Sequence, residues 1–109
     1  MAKATYWERG ETLDYLNETT AVIEANTVIA LSGRIGVAGT SINPGEKGSL
    51  HVTGVYEIAK TGTEAIAMGA TVYFDGNGIT NAESGNTLAG YAAQAAAASD
   101  TVILVKLQG

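Results

Sequence analysis

A chain of 109 residues has room for one domain with a modest core, and an apolar content of 46% is too high for a disordered one. The formal charge is −5 and the six basic residues are scattered, so no cationic patch is available for phosphates and no nucleic-acid partner is expected. Cysteine is absent, which excludes disulfides and thiolate chemistry, and no apolar run is long enough to cross a membrane, so no membrane partner is expected either.

Short β-type runs separated by glycine follow in chain order. Thr5–Glu8 and Thr12–Leu16 come first, in a segment whose opening MAKATYWERGE lacks an apolar signal core, so synthesis in a cytoplasm is expected. The sequon Asn17-Glu18-Thr19 carries no meaning in a chain that is not secreted. Thr27–Leu31 and Arg34–Ala38 flank a glycine turn, Asn43-Pro44-Gly45 marks another turn, and Ser49–Ile58 reads as one strand. Thr71–Asp75 runs into Asp75-Gly76-Asn77-Gly78, a strong hairpin signal because Gly and Asn accept positive φ at little cost. Leu88–Ala93 reads as a strand despite its alanines, since Gly90 weakens a helix by about 1 kcal/mol relative to Ala. Ala95–Ser99 is expected to be a short helical turn or loop, and Thr101–Leu107 the last strand.

This pattern predicts an all-β chain: a compact small β-barrel or β-sandwich of short strands with at most one short helical turn. Residues 21–42 can also be laid over 65–85, with Thr27-Val28 on Thr71-Val72 (71 − 27 = 44) and Ile35 on Ile79 at the same offset, as a duplication would give.

Catalytic chemistry is hard to find. The one histidine, His51, lies opposite in face to Leu50 and Val52 on a strand and points to solvent or an interface. Asp75-Gly76-Asn77-Gly78 has Ile79 where a calcium loop needs another oxygen ligand. The stretch NPGEKGS (43–49) lacks the spacing of a phosphate loop. No cofactor, no metal and no enzymatic activity are expected. A charged content of 16%, against a typical value of about 25%, instead points to surface that faces another chain. Tyr6 and Trp7 are adjacent, so on a strand they point to opposite faces and cannot both enter one small core; Tyr15 follows close behind. Either one of the pair is buried while the other caps an edge, or the segment docks on a partner.

The stretches MAKATYWERGETLDY, VTGVYEIAK, AMGATVYFDGNGIT and GNTLAGYAAQAAAASDTVILVKLQG together resemble the capsid cement, or head decoration, proteins of tailed bacteriophages. Some relatives carry the label of a RecA/RadA-type phage recombinase, but this chain has neither a phosphate loop nor a basic groove. The resemblance implies one domain over 1–109, with residues 1–15 as an N-terminal arm and 16–109 as a β-rich body. It implies a homotrimer on the outer surface of the expanded virion capsid, bound to the major capsid protein after synthesis in the host cytoplasm. Lys3, Thr5, Tyr6, Trp7, Glu8, Arg9 and Tyr15 would then carry the capsid contact. The alternative is a small β-rich binding module for a carbohydrate or host-surface ligand displayed on a virion.

Overall fold

A computed structural model describes residues 1–108, which form nine strands and no helix. The strands are β1 (Thr12–Leu16), β2 (Val28–Ala30), β3 (Ile35–Ala38), β4 (Lys47–His51), β5 (Val55–Ala59), β6 (Thr71–Phe74), β7 (Ile79–Thr80), β8 (Thr87–Ala92) and β9 (Val102–Leu107). They make two antiparallel sheets, ordered β1-β4-β3-β2 and β5-β9-β8-β6-β7. Neither sheet closes on itself. The all-β expectation holds, as a sandwich-like stack and not a barrel.

Alternation decides which face each strand buries. Ile103, Val105 and Leu107 of β9 point inward, while Val102, Leu104 and Lys106 point out. The inward row meets Ile58 of β5, Ala92 of β8 and Val72 of β6, and the first sheet adds Ile35 and Val37 to the same core. One core therefore draws on both sheets. The molecule measures 42 × 42 × 23 Å, with a radius of gyration of 15.0 Å. A compact chain of this length would have about 13 Å, and the excess comes from the flattened body and an extended N-terminus.

The two sheets repeat one another strand for strand, in the order β1-β4-β3-β2 and β5-β9-β8-β6. Their backbone bonds repeat as well. Ile23 and Ile42 exchange N–H···O bonds, as do Ile66 and Ala96; Asn26 N–H donates to Ala38 O at 2.7 Å, and Gly69 N–H to Ala92 O at 2.7 Å. Val52 N–H donates to Glu11 O, and Leu107 N–H to Gly54 O. The offset is 69 − 26 = 43 in the first half of each copy and 92 − 38 = 54 at β3, rising by one residue in the loop that follows to 107 − 52 = 55. The difference, 54 − 43 = 11, is the insertion holding the β6–β7 turn.

This corrects the overlay read from the sequence. The counterpart of β3 is β8, not the Ile79 strand, because it is Ala92 that exchanges backbone bonds with Ala70 and Gly69. Ile79 belongs to the inserted hairpin, where it is fully buried and its carbonyl accepts from Thr61 and Gly62 N–H. Ser49–Ile58 is likewise two strands in two sheets, parted at Gly54, whose φ is +109°. That break is the junction of the two copies. The alanine tract is the second copy of the Gly39–Lys47 loop. Ala96 is bridged to Ile66, and Asp100 closes the following turn by accepting from Ala97 N–H at 2.8 Å. It forms a loop, because tertiary hydrogen bonds outweigh alanine's helix propensity.

Thr5–Glu8 forms no strand. Its residue types suit a sheet, but β4 already occupies the inner edge of β1 and no strand lies beyond to pair with it.

Candidate functional site

The candidate residues fall into two groups. Lys3, Thr5, Tyr6, Trp7, Glu8 and Arg9 lie on a segment without regular structure, and all are exposed. Tyr6 is 79% and Trp7 88% accessible, so neither enters the core and neither caps an edge. Tyr15 stands apart from them. It is half-buried in β1, where it pairs with Gly48 of β4. The expected arm, 1–15, thus divides at Glu11: its carbonyl accepts from Val52 N–H at 3.1 Å, and from Thr12 onward the chain is sheet.

The root of the segment is rigid for a reason readable from one residue. Asn17 immediately follows β1 and is completely buried. Its Nδ2 donates to the carbonyls of Ala21 (2.8 Å) and Ile42 (2.9 Å), and its Oδ1 accepts from the Thr19 N–H (2.9 Å) and hydroxyl (2.6 Å). Every polar group of the side chain is used, so this sequon is an internal clasp. Lys60 holds the matching place in the second copy (60 − 17 = 43), and its Nζ donates to the carbonyls of Gly62 at 2.6 Å and Ala98 at 3.3 Å.

No reactive constellation appears among the described residues. They hold no group of three His, Asp or Glu side chains placed to bind a metal. His51 sits 6.4 Å from the Tyr56 ring between the two sheets, and no carboxylate bonds it. Asp75 is a turn residue. Its Oδ2 accepts from the Thr61 hydroxyl at 2.6 Å, and its Oδ1 accepts from Asn77 and Gly78 N–H. The Thr61 bond, then the Asn77 bond, hold its carboxyl below the ordinary value of 3.8. An open groove of about 370 Å³ is lined by Glu57, Gln94 and Leu104 together with Ala95 and Ala96 of the alanine loop.

Sequence reasoning missed a second exposed surface. Val55, Tyr91 and Val102 share the outer face of the second sheet and are 53%, 45% and 45% accessible. Alternation alone marks them as outward but not as neighbours. Pairing β5 with β9 and β9 with β8 sets Val55 and Tyr91 on either side of Lys106, with Val102 at the other end of β9 opposite Ala59.

The geometry is thus that of a β-sandwich with an exposed aromatic segment outside both sheets. The family model for phage cement protein matches residues 7–107, and the chain belongs to that family. Membership gives it a structural role on the phage capsid, as the resemblance in the sequence implied. Comparison with curated proteins and with solved structures returned no match.

Proposed function

We propose that the protein is a non-enzymatic cement that binds the outside of the expanded capsid as a homotrimer and stabilises it through its N-terminal segment. The observation that carries this reading is the pair Tyr6 and Trp7, both exposed on a segment with no structure of its own, rooted in a strand paired along its whole length with β4. Exposed Trp and Tyr are favoured anchors at interfaces. Residues 1–10 are free to add a strand to an edge of the major capsid protein, with backbone bonds supplying affinity and the aromatic side chains supplying register. Ordering the segment costs conformational entropy, which the anchors must offset. Ligands that bind only the expanded shell stabilise it by mass action, and many modest contacts sum over the particle.

The test is a deletion ending at Gly10, which keeps the Glu11 carbonyl that Val52 uses. The truncated protein is expected to melt as the full chain does and to lose binding to expanded capsids. Trp7→Ala alone should weaken binding by about 2 kcal/mol, roughly thirtyfold. A truncated protein that folds and still decorates capsids fully places the contact on the body and overturns the reading.

A further inference from the structure

The two copies within the chain meet head to tail. The first sheet presents the face of Val28, Val37 and His51, which are cross-strand neighbours. The second receives it on the opposite kind of face, that of Tyr56 and Ile58: Val28 and Val37 line a cleft with Tyr56 and Ile58, and His51 lies against Tyr56. Under the duplication, the presenting face of the first copy corresponds to the outer face of the second, with Val37 matched by Tyr91 (91 − 37 = 54) and His51 by Lys106 (106 − 51 = 55). The receiving face of the second copy corresponds to Leu13 (56 − 13 = 43) and Tyr15 (58 − 15 = 43) in the first. A head-to-tail pair leaves one presenting face and one receiving face without a partner.

The two faces differ in what they expose: on the receiving one Leu13 stands open while Leu50 beside it and Ile42 over Gly48 are buried within the copy. Beyond residue 10, seven large apolar residues are exposed, and four of them, Leu13, Val55, Tyr91 and Val102, fall on these two faces. We propose that a second copy of this chain covers them: the Tyr91 face of one molecule docks on the Leu13–Tyr15 face of the next, repeating between chains the packing already present within each. Such a contact is heterologous: it closes into a ring where the rotation between neighbours divides a full turn, runs on as a filament where it does not, and cannot close as a two-fold dimer. The inference rests on the duplication, gives a homotrimer its contact surfaces, and is tested without capsids.

Two face-breaking variants of the full chain test it by sedimentation velocity at submillimolar concentration, with folding checked by circular dichroism. The unmodified protein is expected to assemble. Leu13→Glu and Tyr91→Glu should each sediment as an 11.1 kDa monomer. Mixed in equal amounts, they should form a 1:1 pair of twice that mass, because each supplies the face the other lacks. Val102→Glu is the second variant for the outer face should Tyr91→Glu misfold. An unmodified protein that stays monomeric, a variant that keeps its full assembly alone, or a mixture that stays monomeric overturns the proposal.

Discussion

Replacing Asn17 by alanine tests whether one buried amide holds the base of the N-terminal segment. The Ile42 carbonyl would lose one of its two donors and keep the other, the Ile23 N–H at 3.0 Å. A buried hydrogen bond lost without orphaning its acceptor costs about 0.5–1.5 kcal/mol. The Ala21 carbonyl and the Thr19 N–H and hydroxyl lie nearer the surface and recover water, so each lost bond there costs only about 0.5–1 kcal/mol. Together these give about 3 kcal/mol. With an unfolding entropy of about 2.1 cal/mol/K for each of 109 residues, that lowers Tm by about 13 °C. Thermal melting followed by circular dichroism reads the shift directly, and Thr19→Ala, which spares both amide donations, should lower Tm far less. Capsid binding measured well below the melting temperature should be unaffected, because Asn17 is not at the surface. A fall of less than about 4 °C, the equivalent of about 1 kcal/mol, would mean that the clasp is not structural and that the loop finds other partners.

Two glycines at matched places in the copies should respond differently to alanine. At Gly90, φ is +149° and an added Cβ would overlap the carbonyl oxygen of Lys106, so Gly90→Ala should leave no cooperatively melting protein. At Gly36 the added Cβ meets only the Leu50 side chain, at 2.6 Å, and the cost should be about 1–3 kcal/mol; equal effects at the two sites would refute the distinction. Asp75→Asn tests the acid limb of stability. The folded-state pKa of Asp75 lies below its ordinary 3.8, so the ionised carboxylate stabilises the fold above that pH and the contribution is lost as pH falls through the lower folded value. The Tm difference between Asp75→Asn and the unmodified protein should therefore shrink as pH drops below 3.8; a gap that holds constant down to pH 2 would remove the carboxylate's charge from the explanation.

Much of the sheet was legible because it depends on local pattern. The β-branched runs around 12–16, 71–75 and 101–107 form strands at those places, and Asp75-Gly76-Asn77-Gly78 turns as its residue types require. What failed was pairing. Thr5–Glu8 has a strand's residue types and no neighbour to bond. The duplication was visible as a likeness, but in the wrong register, because the second copies of Ile42 and Gly39 are both alanines and the inserted hairpin supplies its own glycine turn and its own buried Ile79. Composition drew the eye to the insertion, and only the hydrogen-bond ladder shows that Ala92 stands where Ala38 does. The site divided along the same line. Tyr6 and Trp7 were legible as a conflict, two adjacent aromatics for one small core, whereas Tyr15 looked like a third member and is a sheet residue.

The duplication also explains why so few charges suffice. A chain built from two copies in head-to-tail contact hides the presenting face of one and the receiving face of the other, and the faces left over are the same two kinds of surface. Residues there are held to the requirements of a core seam, so Val55, Tyr91 and Val102 stand where an isolated domain would place Lys or Glu. That outer face keeps two charges, Glu57 and Lys106, and most of the others lie at the N-terminal segment with Lys3, Glu8, Arg9 and Glu11 and in the loops. On the proposed reading the division of labour follows from that layout. Apolar faces bind copies of the chain to one another, and a polar segment with two aromatic anchors binds the shell. Joining several such segments in one ring then makes each further contact intramolecular, so modest individual affinities are enough to hold the assembly on the particle.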